Sequence, residues 1–239
     1  MKIIISPSKT KKIKKLSNIK DFREPLFNNT INEIISSILD LGKDEIEKKF
    51  KLKDEQVEKV IKFYKNYEYE EFGHALNSYS GIAYKNINVE EFDIEDIEFA
   101  ENYLVILSAL YGILTPLTKL KEYRLDMTNS VFKTKSLYEI WKKKVNKYFE
   151  KEELIINLAS KEYSKIINSE NIYNFEFYND VNGELRQIST NSKKMRGFTA
   201  NYIIKNKILD VEKLKNIYLN GYKFNEEMST DKKYLYIKK

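Results

Sequence analysis

Uninterrupted apolar runs mark three buried strands in this sequence. The segments 2–5, 103–108 and 154–158 consist mainly of large apolar side chains at successive positions. Such a run predicts a strand that is covered on both faces, because a strand with one face in water would alternate apolar and polar residues. We therefore expect a sheet whose central strands are surrounded by helices.

An alternating pattern predicts a hairpin nearer the C-terminus. In residues 172–178 aromatic side chains alternate with polar ones, and a second extended segment covers residues 184–189. The intervening residues 179–183 are rich in Asn, Asp and Gly, which favour a tight turn. Residues 216–224 and 234–238 then predict two closing strands.

Helical spacing of apolar residues predicts the remaining elements. In residues 29–40 isoleucines recur at intervals of three and four positions. Ser136 precedes the amphipathic segment 137–149, and Glu139 three positions later completes a capping box. The same reasoning predicts helices over residues 54–67, 89–101, 162–167 and 192–208, and a connector or strand over residues 75–84.

Strands and helices intermix along the chain without the strict alternation of a doubly wound fold. We therefore predict an α+β fold with a mixed β-sheet surrounded by helices. A chain of 239 residues can form one large core, and only 7 Gly and 3 Pro leave little material for linkers. We expect a single domain over residues 1–239.

The scarcity of metal-binding side chains excludes several kinds of chemistry. The chain has no Cys and one His, which rules out disulfides, thiolate metal sites and peroxide reduction by a thiol. A ferritin-like di-iron site needs more than one histidine. We expect no metal site and no cofactor, and we interpret His74 as a surface or capping residue rather than a ligand or base.

The net charge is +6 with a pI of about 9.0, which would attract polyanions. Abundant Lys, Asn, Ile and Tyr are also what an AT-rich coding sequence produces, so a nucleic-acid site requires clustered cations as well as an excess. No stretch is long and apolar enough for a membrane span or a signal peptide, so we expect a cytoplasmic protein with no membrane partner.

Small polar clusters follow the three buried strands. They pair Ser6 with Lys9, Ser108 with Tyr111, and Asn157 with Ser160. In open sheets, ligands collect beyond the carboxyl ends of the strands, so these side chains predict a shared cleft. The alternative is that strand ends are turns, which are rich in Ser and Asn for local reasons.

Two further segments carry candidate anion-binding residues. Arg124 lies in a stretch with weak periodicity and could bind a phosphate or carboxylate with two nitrogens, or pair with a structural carboxylate. Lys193, Lys194 and Arg196 fall within one helical turn, followed by Gly197, which admits a close backbone or phosphate. Because the helix dipole disfavours cations near an N-terminus, helix stability does not explain this cluster.

Standard enzyme signatures are missing. The chain contains no G-x-x-x-x-G-K-[ST], G-x-G-x-x-G, G-x-S-x-G or H-E-x-x-H pattern. The acidic residues lie mainly on predicted helix faces, so no pair of carboxylates can be assigned to acid–base catalysis. We therefore assign no catalytic residue.

Seven motifs together resemble the YaaA family of bacterial peroxide-stress proteins. They run in order along the whole chain: ISPSKT at 5–10, LSALYGILTPL at 107–117, YRLDM at 123–127, LYEIW at 137–141, NLASKEY at 157–163, KMRG at 194–197 and GY at 221–222. The resemblance implies a cytoplasmic protein that protects against hydrogen peroxide and is associated with less unincorporated iron. It also implies a DNA-binding α+β fold with a helix–hairpin–helix element, for which residues 107–117 are the best match.

The leading hypothesis is a non-catalytic protein that binds double-stranded DNA without sequence preference. The predicted phosphate-binding residues are Lys9, Arg124, Lys193, Lys194 and Arg196. The residues predicted to shape the cleft are Ser6, Ser108, Tyr111, Gly112, Tyr123, Asn157, Ser160, Tyr163 and Gly197. The first alternative is an enzyme acting on a nucleotide or another small anion, with Tyr111 or Tyr163 as acid or base. The second is an iron-handling protein with carboxylate ligands.

Overall fold

The structure is a computed structural model that describes residues 1–239, and it contains eleven strands and nine helices. The strands are β1 (Lys2–Ile5), β2 (Phe72–His74), β3 (Leu104–Ser108), β4 (Gly112–Leu114), β5 (Lys119–Lys121), β6 (Ile155–Leu158), β7 (Ile172–Val181), β8 (Glu184–Arg186), β9 (Tyr218–Leu219), β10 (Tyr222–Phe224) and β11 (Lys233–Lys238). The helices are α1 (Asn28–Leu39), α2 (Lys43–Phe50), α3 (Asp54–Lys65), α4 (Ala75–Ser78), α5 (Ile82–Ile87), α6 (Ile94–Tyr103), α7 (Leu137–Phe149), α8 (Lys161–Ser164) and α9 (Ser189–Lys205).

The main sheet has nine strands and mixed direction. Eight of them follow the order β4-β3-β1-β6-β7-β11-β10-β9, and β8 pairs with β7. The five central strands, β3 to β11 in this order, run parallel to their neighbours, whereas β4, β8, β9 and β10 pair antiparallel. Strands β2 and β5 form a separate antiparallel pair. The predicted α+β fold with a mixed sheet is confirmed.

The three apolar runs form adjacent strands at the centre of the sheet. Ile3 of β1 lies between Leu104 of β3 and Ile156 of β6, and all three side chains have no exposed surface. Burial on both faces is what an uninterrupted apolar run predicts. A continuous cluster of 61 buried hydrophobic residues extends from these strands through the helices.

Helix α7 begins with the predicted capping box and buries the only tryptophan. The Ser136 N–H donates to Glu139 Oε2 at 2.7 Å, and the Glu139 N–H donates to Ser136 Oγ at 3.3 Å. Trp141 is fully buried, and its Nε1–H donates to the carbonyl of Ala109 at 2.8 Å. Gly112 has a φ of +70°, and a Cβ there would lie 2.5 Å from the Trp141 ring. Only glycine fits this close approach.

The helix–hairpin–helix expected in residues 107–117 is wrong. This segment contains the end of β3, a turn and β4, and the two strands pair antiparallel with Leu107 opposite Ile113. Its large apolar side chains are almost all fully buried, which a strand between covering elements achieves and a short surface hairpin of helices would not. Residues 75–84 are also corrected, because they form the two short helices α4 and α5 instead of a connector or strand.

His74 is a core residue, not the surface or capping residue that the sequence predicts. It is fully buried, its Nδ1 accepts from the Leu16 N–H at 2.8 Å, and its Nε2 lies 3.0 Å from the Asp21 carbonyl. The ring stacks on Phe22 with centroids 3.9 Å apart. Burial lowers the pKa of His74, so the neutral ring, donating from Nε2, satisfies both contacts. None of the nine helices is long and apolar enough to cross a membrane.

Candidate functional site

The carboxyl ends of β1 and β6 meet at one edge of the sheet, because the two strands are parallel neighbours. Ser6 follows β1 and Ser160 follows β6. The Ser160 N–H donates to Ser6 Oγ at 2.8 Å, and Ser6 Oγ–H donates to Ser160 Oγ at 3.1 Å. Residues from two of the three polar clusters therefore meet at this edge.

A cavity of about 360 Å³ opens at this edge, and we call it the inner cavity. Of the fourteen site residues predicted from the sequence, eight line it: Ser6, Lys9, Tyr123, Arg124, Ser160, Tyr163, Lys193 and Arg196. Its other polar lining residues include Lys11, Tyr84, Asp126 and Glu162. Cations, carboxylates and tyrosines from five separate parts of the chain thus line one cavity.

Helix α9 supplies one wall through Lys193 and Arg196, which are three positions apart and so share a helix face. Gly197 lets this helix approach α5, since a Cβ on it would lie 2.1 Å from the Ala83 carbonyl oxygen. Its role is therefore backbone packing. The Arg196 Nε is buried and has no hydrogen-bond partner, and burial lowers the pKa of the guanidinium. An unpartnered buried donor of this kind is costly unless a ligand satisfies it.

A second wall carries carboxylates. Lys9 Nζ lies 2.7 Å from Asp126 Oδ2, and Glu162 Oε1 is buried without a hydrogen-bond partner. Burial raises the pKa of Glu162, and the charge of Asp126 adds to this shift. The charges that shift the pKa of Glu162 are those of Asp126, Lys9 and Lys165. The charge that acts on the pKa of Arg196 is that of Glu176. The two unpartnered groups therefore belong to different electrostatic surroundings within one cavity.

Lys11 is a site residue that sequence reasoning missed. Its Nζ donates to the Tyr123 carbonyl at 3.0 Å and sits 4.0 Å from the centroid of the Tyr123 ring. Burial, followed by the nearby charge of Arg124, lowers the pKa of Lys11 to about 8. The available signal was the run of lysines from Lys11 to Lys15, whose mutual repulsion favours a nearby anion. Nothing in that run shows which lysine turns inward.

A chain of hydroxyl groups lies behind the cavity and holds Tyr123 in place. The Tyr123 hydroxyl contacts Ser108 Oγ at 2.9 Å and the Tyr79 hydroxyl at 3.0 Å. The Tyr111 N–H donates to Ser108 Oγ at 3.1 Å, and the Tyr67 hydroxyl donates to the Tyr111 hydroxyl at 3.0 Å. Tyr111 is fully buried, and burial raises its pKa well above the ordinary value. Ser108 and Tyr111 therefore support the cavity wall without lining it.

Three other predicted residues also lie outside the cavity lining. Asn157 Nδ2–H donates to Asn174 Oδ1 at 2.7 Å, while Asn157 Oδ1 accepts from the Ala159 N–H at 2.9 Å. This residue fixes the turn that precedes Ser160. Lys194 is exposed and does not line the inner cavity. Gly112 packs against Trp141, as described above.

A second depression of about 690 Å³ adjoins the inner cavity, and we call it the outer groove. The two share Lys9, Tyr123 and Arg124, so they form one surface. The cations of the combined surface are Lys9, Lys11, Lys51, Lys59, Lys62, Arg124, Lys193 and Arg196, and its carboxylates are Glu70, Glu122, Asp126 and Glu162. Sequence reasoning missed the three lysines of the outer groove because they look like the solvated face of an amphipathic helix and the turn before it.

Comparison with known proteins gives the family. The model of a family described as peroxide stress protein YaaA matches residues 1–228. This chain belongs to the YaaA family. Among its relatives, a UPF0246 protein of Fusobacterium nucleatum is 36% identical over 247 residues, covering 100% of this chain and 99% of that protein. A UPF0246 protein of Finegoldia magna is 38% identical over 250 residues, covering 100% of this chain and 98% of the relative.

The match confirms the resemblance drawn from seven motifs, and it makes this YaaA-family chain a member of a peroxide-stress family. Four of those motifs contribute side chains to the inner cavity: the segments around Ser6, Arg124, Ser160 and Arg196. The motif at 107–117 contributes the buried support of Ser108 and Tyr111 instead. No group of three or more His, Cys, Asp or Glu side chains lies close enough to hold a metal ion.

Proposed function

We propose that this peroxide-stress protein binds the phosphates of double-stranded DNA along the inner cavity mouth and the outer groove, without reading base sequence. The observation that carries the proposal is the combined surface itself, with eight cations against four carboxylates. Phosphate contacts from Lys and Arg position a duplex but carry no sequence information. The proposal places the protein in the cytoplasm, where bacterial DNA lies.

Clustering supports this function over a coding bias in lysine content. The whole chain has a net charge of +6, and the combined surface alone has four more cations than carboxylates. Lys51, Lys59 and Lys62 are exposed, so their ammonium groups are available to an incoming polyanion. A random distribution of excess lysine would not concentrate it on one edge of the sheet.

Covering DNA phosphates also explains how binding would protect against peroxide. Phosphates hold a condensed atmosphere of cations, and protein cations release these ions when they replace them. Iron that is released from the DNA surface no longer generates radicals from peroxide beside the bases. In this proposal the protein limits iron and peroxide damage by occupancy, with no catalytic step and no bound metal.

The test is fluorescence anisotropy of a labelled duplex between about 50 and about 200 mM salt. Four or five phosphate contacts predict a slope of about −4 for log affinity against log salt. The double variant Lys59→Ala/Lys62→Ala should reduce the magnitude of this slope by about 1.8, since each contact contributes about 0.9.

The matched control is Lys143→Ala/Lys144→Ala, which removes the same charge from exposed positions of α7 that line neither the inner cavity nor the outer groove. This variant should retain the slope of the unmodified protein. An affinity that hardly changes with salt, or an equal loss in both double variants, would contradict the proposal.

A further inference from the structure

We propose that the inner cavity binds a single nucleotide unit, with its phosphate at Lys193 and Arg196 and its base in the pocket beside Glu162. Where that nucleotide is turned out of a DNA duplex, the inference rests on the proposed function. A free nucleoside monophosphate would offer the same chemical groups, so the experiment below distinguishes the two sources.

The size of the inner cavity fits one nucleotide and not a duplex. Its volume of about 360 Å³ falls within the range of about 300 to 1,000 Å³ that small-molecule sites occupy. A paired base lies inside the helical stack and reaches such a pocket only after it leaves the stack. The adjoining outer groove, with exposed lysines, would hold the flanking phosphates.

The phosphate end is assigned by Arg196. Its guanidinium is mostly buried and forms no ion pair within 4.0 Å, and its Nε has no hydrogen-bond partner. The charge acting on it is that of Glu176, whose Oε2 is already bonded to the Tyr178 hydroxyl at 2.8 Å and to Lys233 at 3.1 Å. A planar donor left free in this way matches a phosphate oxygen. Lys193 adds a second cation from the same helix face.

The base end is assigned by Glu162 and the apolar lining. The Glu162 Oε1 is buried without a partner, and a carboxyl group there can accept from an exocyclic amine of a base. Tyr84, Tyr123 and Tyr163 supply aromatic walls, and Ile5 and Leu158 supply aliphatic ones. The Tyr84 hydroxyl donates to the Ser6 carbonyl at 3.0 Å, which holds its ring in place for stacking.

The experiment compares three probes on the full chain. They are a matched duplex, the same duplex with one unpaired adenine, and deoxyadenosine monophosphate measured by calorimetry. We expect the duplex with the unpaired adenine to bind about tenfold more tightly than the matched duplex, because one extra base stacks on aromatic side chains. The monophosphate should bind at one site per chain and compete with the unpaired adenine.

Two variants keep the test independent of folding. Arg196→Gln removes the guanidinium, and Glu162→Met removes both acceptor oxygens while keeping a side chain of similar length. Glu162→Met should abolish the tenfold preference while matched-duplex binding persists. Arg196→Gln should abolish the preference and weaken matched-duplex binding by no more than one phosphate contact. Lys194→Gln is the control, because Lys194 is an exposed cation on the same helix that does not line the cavity. It should leave the preference unchanged.

The outcomes separate this inference from the proposed function. Monophosphate binding that Arg196→Gln weakens, with no preference for the unpaired adenine, supports a free nucleotide as the ligand. If the matched duplex also fails to bind, the proposed function falls and the nucleotide site stands. Matched-duplex binding with neither a preference nor monophosphate binding overturns the inference alone. A preference that survives both Arg196→Gln and Glu162→Met overturns it as well.

Discussion

The inner cavity and the outer groove share Lys9, Tyr123 and Arg124, but two of the inner cavity's other cations differ in burial from those of the outer groove. Arg196 and Lys11 are mostly buried, and the structure leaves the Arg196 Nε without a partner. Lys59 and Lys62 are exposed to water on the surface of α3. Exposed lysines attract any polyanion in a salt-dependent way. Buried groups without partners bind favourably only to a ligand that forms hydrogen bonds with them. The exposed lysines therefore provide general affinity for polyanions, and the buried groups provide selectivity for a particular ligand.

A third depression shows that volume alone does not identify a site. It measures about 1,060 Å³, larger than either part of the basic surface, and includes Glu24, Glu68, Lys119 and Lys121. Its four carboxylates outnumber its three cations, and two of these cations already have partners. Lys119 pairs with Glu24, and Lys121 Nζ donates to the Glu68 carbonyl at 3.0 Å. A depression whose charges are satisfied internally offers less to an anion than a smaller one with free donors.

The largest expected effect is a loss of stability from a substitution in the wall of the inner cavity. Gly197→Ala places a methyl group where the Ala83 carbonyl oxygen now lies 2.1 Å away, so α9 must move away from α5. We expect the free energy of unfolding to fall by about 2 to 3 kcal/mol, as overpacking does elsewhere. Thermal and urea unfolding measure this loss.

The control for this substitution is Gly42→Ala, where no atom lies within 4 Å of the added Cβ. It should change the free energy of unfolding by far less. If the two variants are equally stable, the close approach of α9 to α5 is not a constraint on the cavity wall.

The next effect concerns the wall that both regions share. Tyr123→Phe removes the hydroxyl that contacts Ser108 Oγ and the Tyr79 hydroxyl in the buried network. We expect a loss of about 1 to 2 kcal/mol in the free energy of unfolding, because Tyr79 is left without its partner. The salt slope of duplex binding should stay the same, since that hydroxyl faces the core. Tyr69→Phe, at a side chain that is 90% exposed, is the matched control and should be neutral.

The sequence predicts features that depend on local pattern better than features that depend on contacts between distant parts of the chain. The capping box of α7, the buried strands β1, β3 and β6, and the meeting of Ser6 with Ser160 follow from local pattern and strand direction. His74 does not, because its partners Leu16 and Asp21 are more than fifty residues away in the chain. Lys11 and Lys59 read as solvated lysines for a related reason, since the environment of a lysine depends on tertiary packing. The environments of these residues depend on contacts with distant parts of the chain, which a short stretch of sequence does not reveal.

A pH series tests the buried part of the surface. The pKa of Lys11 is about 8, so this lysine is charged at pH 7 and mostly neutral at pH 9. Loss of that charge should weaken duplex binding as pH rises and reduce the magnitude of the salt slope by up to about 0.9. Anisotropy at the two pH values measures the change. In Lys11→Met the affinity should be weaker at pH 7, close to that of the unmodified protein at pH 9, and without this step. A step of undiminished size in that variant would assign it to another group.

The smallest expected effect is a difference in salt slope between variants of two adjacent lysines. Lys193 lines the inner cavity and Lys194 does not, although the sequence predicts both as phosphate contacts. Lys193→Ala should reduce the magnitude of the salt slope by about 0.9, whereas Lys194→Ala should leave it unchanged. Parallel salt titrations of the two single variants measure the difference. Equal losses would mean that the outer surface of α9, and not the cavity, contacts DNA.

The most direct test of the account is lysine footprinting, in which amine acetylation is measured by mass spectrometry with and without a duplex. The account predicts protection of the lysines of the basic surface: Lys9, Lys51, Lys59, Lys62 and Lys193. Lys143 and Lys144 on α7 should be acetylated equally in both samples. Protection on α7, or no change in the basic surface when the duplex is bound, would contradict the central claim that the edge at the carboxyl ends of the strands binds DNA phosphates.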